Sequence, residues 1–120
     1  MSKELKDRTK AFARQCISLL RSINTNDRLF WHVERLLLRC STSVAANYRA
    51  ANLSQSKATF VAKLSIVVEE SDECIFWLEL LVDEGLVSEI QIRPIIQEAK
   101  ELTSIFVAAR KTAANRSDTQ

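Results

Sequence analysis

Charged side chains are the residues of this 120-residue chain whose types and spacing suggest chemistry, because they are sorted along the sequence. Eight acids and no base lie between Glu69 and Glu89, whereas bases outnumber Glu4 and Asp7 in the first 21 residues. A surface that carries one sign of charge attracts ligands of the opposite sign, and positive surfaces attract nucleic-acid phosphates. The net charge is only +2, so the function of these charges depends on where the fold brings them together.

Composition and periodicity predict the elements that position these charges. The chain has one Gly and one Pro, where average usage would give roughly eight and six, and long helices exclude both residues. Apolar residues recurring at three- and four-residue steps predict four helices, at about 3–23, 28–51, 55–84 and 88–114, and then a frayed C-terminal tail. Long helices with short links predict a single all-α domain over 1–120, an antiparallel up-down-up-down four-helix bundle.

The breaks between the helices carry recognisable signals. Asp27 and Ser54 are predicted N-caps of the second and third helices, and Ser88 begins an S-x-x-Q capping box. Gly85 suits a left-handed C-cap of the third helix. Pro94 comes too late for a first-turn proline, so we predict a kink or a restart of the fourth helix there.

The third helix is apolar over a wide arc. Leu64, Val67 and Leu78 share one face, while Val68 and Ile75 repeat beside them. A helix that covers one side of a core needs an apolar arc of only about 100°. The third helix is therefore predicted to be central in its own domain or shared with another subunit, which favours a homo-oligomer.

Laid on the bundle, ten basic and three acidic residues share one end, a net charge of +7 that we call the basic pole. Its bases are Lys3, Lys6, Arg8, Lys10, Arg49, Lys57, Lys63, Arg110, Lys111 and Arg116, and its acids are Glu4, Asp7 and Asp118. The residues predicted to contact RNA or DNA are Lys3, Lys6, Lys10, Lys57, Lys63, Arg110 and Lys111. The alternative is that these charges only solvate the helix ends.

Side chains that could form other kinds of site lack the necessary partners in the sequence. His32 is the one histidine, and Cys16, Cys40 and Cys74 form no metal-binding spacing. No catalytic, metal or cofactor site and no small-molecule substrate is predicted. The longest apolar run contains Glu79 and is too short to span a membrane; together with three free thiols this predicts a cytoplasmic protein. Packing in the core or at an interface is the preferred role of Phe30, Trp31, Phe76 and Trp77 over nucleobase stacking.

Polar residues on the second and third helices are predicted to meet. Folding one helix back on the other brings Glu70 near Arg35 or Arg39, and the predicted interhelical polar network comprises Arg39, Asn47, Arg49, Glu70 and Glu73. Small residues precede this turn, and we interpret them as a close-packing segment filled by Phe60 and Leu64; they are Ser41, Ser43, Ala45, Ala46 and Ala50.

The stretch from Leu36 to Leu81, with "RCSTSVAANYRAA", "SKATF" and "EESDECIFWLELL", closely resembles the signature of bacterial four-helix-bundle proteins encoded in intervening sequences of large-subunit rRNA genes. One departure is Cys40, where that family usually has Ser. The resemblance implies a non-enzymatic ring-like homo-oligomer, commonly a pentamer. Related accessory proteins of diversity-generating retroelements contact nucleic acid and a reverse transcriptase through a basic pentamer.

Two functions remain open from the sequence. The first is a nucleic-acid-associated oligomer that binds RNA or DNA through the basic pole. The second is a structural scaffold that presents the assembly to a protein partner and has no nucleic-acid role.

Overall fold

The computed structural model describes residues 3–116, and these residues fold into four α-helices. They are α1 (Lys3–Ser22), α2 (Arg28–Asn52), α3 (Lys57–Asp83) and α4 (Glu89–Ala114). Residues 3–116 contain no strand, so the fold is all-α, as predicted. Of the C-terminal tail predicted to fray, Asn115 and Arg116 are described, and Asn115 is the C-cap of α4. The rest of the tail, with Asp118 of the basic pole, lies outside the described residues, from position 117 onward.

The helix boundaries follow from side chains that satisfy the first backbone amides. Asp27 Oδ1 accepts from the Leu29 amide at 2.8 Å, which begins α2. Ser88 Oγ accepts from the Gln91 amide at 3.2 Å, which begins α4. Gly85 follows Glu84, the C-cap of α3, and has φ +72°, the left-handed conformation that residues with a side chain rarely adopt.

The predicted start of α3 is wrong by two residues. Ser56, not Ser54, is the N-cap, because Ser56 Oγ accepts from the Thr59 amide at 3.1 Å. Ser54 instead donates its hydroxyl to the Ala50 carbonyl oxygen at 3.3 Å, at the end of α2. Serine is abundant in "NLSQS", and several of its members can accept an amide, so sequence alone does not choose among them.

The predicted restart at Pro94 is also wrong, because α4 continues through this residue. Pro94 lies on the exposed side of the helix in its second turn. It removes one backbone hydrogen bond, to the Ile90 carbonyl. The buried residues Ile92 and Ile95 on the opposite face hold the helix together on either side of it.

Consecutive helices pack side by side, and α1 also contacts α4, which closes the bundle. Cys40 in α2 lies against Cys74 in α3, and Ser71 in α3 bonds Thr103 in α4. Each of these contacts joins residues at similar heights of antiparallel neighbours, since the links between helices are only four or five residues long. The result is an elongated four-helix bundle whose Cα trace measures 55 × 21 × 21 Å.

The core consists of apolar side chains that point inward from all four helices. The largest that are almost fully buried are Phe12, Val33, Leu37, Val44, Tyr48, Leu64, Val67, Leu78, Leu81, Ile92, Leu102 and Phe106. Helix α3 packs against both α2 and α4, which accounts for much of its wide apolar arc. It also leaves Ile66 and Phe76 exposed, Phe76 to 55%. None of the helices within residues 3–116 combines the length and apolar character needed to cross a bilayer.

Candidate nucleic-acid interface

The start of α1, the end of α2, the start of α3 and the end of α4 meet at one end of the bundle. Lys57 Nζ donates to the Arg116 carbonyl oxygen at 2.8 Å and so joins the start of α3 to the end of α4. Lys6 and Lys10 line the same groove as Arg49, which brings the start of α1 to the end of α2. The helix ends that carry the basic pole therefore lie close together in the folded chain.

A groove of about 450 Å³ runs between α1 and α2 on this pole. Its charged lining is four bases and one acid: Lys6, Lys10, Arg14, Arg49 and Asp7. Its uncharged lining is mostly small, namely Ala13, Ile17, Thr42, Ala45 and Ala46. All four bases are exposed. Cations that flank a groove with a shallow, small-residue floor can contact consecutive phosphates of a strand lying in it.

Sequence reasoning missed Arg14 as a member of this surface. Arg14 lies more than three turns from the start of α1, beyond the helix ends from which the basic pole is composed. The signal that could have identified it is the seven-residue spacing from Asp7 and the four-residue spacing from Lys10, which place Arg14 on the same face.

Arg8 belongs to the basic pole in sequence but is not available to a ligand. Its guanidinium donates to both carboxylate oxygens of Glu98 in α4, at 3.0 and 2.6 Å. A third hydrogen bond, at 3.4 Å, reaches Glu101. The hydrogen bond to Glu98 is also the main reason that the pKa of Arg8 is raised. Arg8 therefore clasps α1 to α4, and two acids that the predicted charge map left out reduce the positive charge beside it.

The seven residues predicted to contact nucleic acid differ in exposure. Lys3, Lys6, Lys10 and Lys111 are exposed, and Lys57 is exposed with its ammonium bonded to a carbonyl oxygen. Lys63 and Arg110 are half-buried. Lys3 lies 4.0 Å from Asp7, both largely solvated, where such a pair has little energetic effect. Lys6 and Lys10 are thus the best placed, since they combine exposure with a position in the groove.

The predicted polar network between α2 and α3 is smaller than its five candidates. Arg39 donates to Glu73 at 2.9 and 2.8 Å and to Glu70 at 3.3 and 3.4 Å. Asn47 does not reach α3: its amide donates to the Ser43 carbonyl and hydroxyl oxygens, one turn back in α2. Arg49 points into the groove on the other side of α2. The network is therefore Arg39 with Glu70 and Glu73, and Glu73 additionally accepts from the Trp77 indole at 2.9 Å.

The small residues of α2 divide between two environments. Ser41 is fully buried, and its hydroxyl donates to the Leu38 carbonyl oxygen at 3.3 Å. Ala46, in contrast, is exposed, and together with Ala45 it lines the groove. The interpretation of the whole stretch as close packing is thus wrong for its α1-facing side, where small residues leave the groove open.

The three cysteines, distant in sequence, meet in the core. Cys74 Sγ lies 3.1 Å from Cys40 Sγ, and all three thiols are free and buried. Burial raises the pKa of Cys16 from 9.0 to about 12. The pKa of Cys74 is also raised, first by its hydrogen bond with Cys40 and then by burial. Across residues 3–116, no group of three or more His, Cys, Asp or Glu side chains is arranged to hold a metal ion.

The opposite end of the bundle is acidic. A groove of about 300 Å³ between α3 and α4 is lined by Glu79, Asp83 and Glu89. His32 is exposed near this end, where its ring meets Trp77 edge-on with centroids 5.7 Å apart. The molecule therefore separates its charge along its long axis, with the basic groove at one end and acids at the other.

Comparison with known proteins found a matching family model and a solved structure of similar fold. A family model described as 23S rRNA-intervening sequence protein matches residues 3–108. The 1.70 Å crystal structure of a protein with unknown function from the S23 ribosomal protein family of Bacteroides thetaiotaomicron VPI-5482 is similar in fold, with a TM-score of 0.81. The two chains are 30% identical, over 88% of this chain and 97% of that one. Comparison with curated proteins gave no match.

Proposed function

The chain belongs to the family of 23S rRNA-intervening sequence proteins, and we propose that it is a non-enzymatic cytoplasmic homo-oligomer that binds RNA or DNA through its basic pole. The observation that carries this proposal is the groove between α1 and α2, with Lys6, Lys10, Arg14 and Arg49 around a floor of small side chains. A ring, pentameric as in the bundle proteins that the sequence resembles, would repeat the groove and present several copies to one strand.

The spacing of the three bases on α1 suits a phosphate backbone better than a small anion. Lys6, Lys10 and Arg14 follow each other at four-residue steps along α1, so they extend along the groove. One rise of four residues is about 6 Å, close to the separation of neighbouring phosphates along an extended single strand. We therefore propose single-stranded RNA or DNA as the preferred ligand, bound mainly through charge.

The test is binding of fluorescently labelled single-stranded RNA and DNA, measured by anisotropy across a salt series. Charge-driven binding should weaken steeply as salt rises, with a logarithmic slope of about −0.7 per phosphate contacted. Replacing Lys6 and Lys10 together by Glu should lower the affinity at least about 100-fold at 50 mM salt and flatten the slope by about 1.4, because two phosphate contacts are lost.

Lys100→Glu is the matched control, because Lys100 is an exposed base in the middle of α4, away from the groove. It should leave the affinity within about threefold of wild type. The proposal is wrong if wild type does not bind at 50 mM salt, or if Lys100→Glu weakens binding as much as an equivalent single change at Lys10.

A scaffold that presents the assembly to a protein partner is the second candidate, and Ile90, which is 80% exposed at the acidic end of the bundle, favours it. This function would depend on apolar contacts near the acidic end rather than on the groove. A protein partner whose binding to the purified chain resists nuclease and is unchanged by Lys6→Glu with Lys10→Glu would support the scaffold over nucleic-acid binding.

A further inference from the structure

Two exposed faces of the bundle, one on α2 and one on α3, are complementary in charge, and each centres on aromatic or apolar side chains. We propose that they dock against each other between copies of this chain, head to tail, with the α2 face of one copy on the α3 face of the next. This inference rests on the homo-oligomer proposed above and identifies the surfaces that assemble it.

The first face, the arginine stripe, consists of Arg28, Trp31, Arg35 and Leu38. These residues recur at steps of three and four, so they share one side of α2. Trp31 is 52% exposed and Leu38 43% exposed. The acid within α2, Glu34, is half-buried, which leaves this side of the helix positive.

The second face, the acidic stripe, consists of Glu69, Asp72, Phe76, Glu79 and Asp83 on α3. The same three- and four-residue steps place them on one side of the helix. Phe76 is 55% exposed at the centre of the stripe. From Leu64 to Asp83, α3 carries no base, so this face is negative throughout.

Neither stripe is neutralised within its own molecule. Across residues 3–116, none of Arg28, Arg35, Asp72 and Glu79 takes part in an ion pair. By contrast, Arg39, between the two stripes, is bonded to Glu70 and Glu73. The charges that remain unpaired are therefore the ones that point away from the contact between α2 and α3, where another molecule can reach them.

The two stripes lie at the same height of the bundle. His32, next to Trp31, meets Trp77, next to Phe76, with ring centroids 5.7 Å apart. A head-to-tail contact between faces at equal heights, on neighbouring helices of the same bundle, has little rise along the long axis. Such a contact closes into a ring, whereas a contact with rise produces a filament.

The chemistry of the stripes is that of an interface. Trp and Arg are the residues most enriched at sites that dominate binding energy, and Phe is enriched in interface cores. Both stripes lie toward the acidic end, and the groove begins about one turn beyond Leu38 along α2.

A mixing experiment tests this geometry. Trp31→Glu places an acid in the arginine stripe, where it would face the acids of the next copy, and Phe76→Lys places a base in the acidic stripe. By light scattering, wild type should be oligomeric and each variant alone monomeric. An equal mixture should form a one-to-one heterodimer, because the intact acidic stripe of Trp31→Glu fits the intact arginine stripe of Phe76→Lys.

Ile90→Glu is the matched control, since Ile90 is 80% exposed on α4 and outside both stripes; it should keep the wild-type mass. If circular dichroism shows that Trp31→Glu is unfolded, Arg28→Glu with Arg35→Glu replaces it, since both residues are exposed. A monomeric wild type would overturn the proposed homo-oligomer and this inference with it. An oligomeric wild type whose two variants keep its mass, or whose folded variants stay monomeric when mixed, would overturn the inference alone.

Discussion

Tyr48 carries a buried hydroxyl that finds no hydrogen-bond partner among residues 3–116. Its ring packs against Phe106, with centroids 5.1 Å apart, and the side chain is fully buried. An unpaired buried hydroxyl opposes folding, because the unfolded chain keeps its bonds to water. The packing of the ring, rather than the bonding of the hydroxyl, is therefore what Tyr48 contributes to stability.

Tyr48→Phe is accordingly expected to keep or raise the free energy of unfolding, by up to about 1 kcal/mol, because it removes the unpaired hydroxyl and keeps the ring. Urea denaturation followed by circular dichroism measures this. Phe106→Leu, which removes the ring contact, is the control and should lower stability by about 1 kcal/mol. A loss of more than 1 kcal/mol in Tyr48→Phe would mean that the hydroxyl has a partner, such as a buried water.

The thiols define a second residue-scale prediction. Because burial raises the pKa of Cys16 to about 12, the native thiol stays protonated at pH 8 and should not react with a thiol reagent, whereas the denatured chain should expose three reactive thiols. The raised pKa also predicts the sign of a pH effect. Between pH 9 and 12 the unfolded state ionises Cys16 while the native state does not, so stability falls as pH rises. Rapid labelling of the native protein at pH 8 would contradict the prediction that the buried thiols do not react.

At the scale of helices, periodicity was sufficient to predict the four elements and the core, because apolar spacing reflects the side that each helix buries. It could not predict the destination of long polar side chains. Arg8 reaches across to Glu98, 90 residues away, and Arg49 turns into the groove rather than toward Glu70. The small residues of α2 show the same limit, since alanine is compatible with both a close contact and an open groove. Only the placement of α1 distinguishes the two.

Helix α1 packs less extensively against α4 than the other neighbouring helices pack against each other, so the Arg8–Glu98 clasp is expected to contribute measurably. Arg8→Met keeps the apolar stem and removes the charge; it should lower the free energy of unfolding by about 1 kcal/mol, since both partners are more than two thirds buried. Arg93→Met, which breaks the exposed one-turn pair with Glu89, is the control and should cost about 0.3 kcal/mol. A double-mutant cycle with Glu98→Gln should give a coupling near 1 kcal/mol, and a coupling near zero would show that the clasp is not formed in solution.

At the scale of the groove, a substitution of Ala46 can distinguish a packing role of the small residues of α2 from a binding role. Because Ala46 is exposed on the groove floor, Ala46→Leu should leave the melting temperature within a few degrees of wild type. The larger side chain should obstruct a strand lying between α1 and α2 and weaken nucleic-acid binding about tenfold. Ala62→Leu, at an exposed position of α3, is the control and should affect neither property. A large loss of stability in Ala46→Leu would mean that the floor is closely packed after all.

For the whole molecule, the separation of charge along the long axis connects the proposed assembly with the proposed binding. The stripes on α2 and α3 lie toward the acidic end, and the groove lies at the basic end. Docking through the stripes would therefore direct every groove toward the same side of the ring. Pairing the helices from sequence already places the basic residues at one end, and it places Trp31 and Phe76 toward the same end as each other. The folded chain adds the direct His32–Trp77 contact, which fixes their relative height.

This arrangement predicts that affinity depends on the length of the strand. A strand that reaches several grooves gains from their high effective concentration, which commonly strengthens binding 10²- to 10⁴-fold, whereas a strand that fills one groove gains nothing. Phe76→Lys, monomeric by the inference above, should therefore bind an oligonucleotide of about 8 residues as wild type does and one of about 60 residues at least about 10-fold more weakly. Anisotropy with both lengths, at one salt concentration, measures the difference. Equal losses for both lengths would mean that Phe76 acts on the groove itself, and no loss for either would mean that the grooves of an assembly do not share a strand.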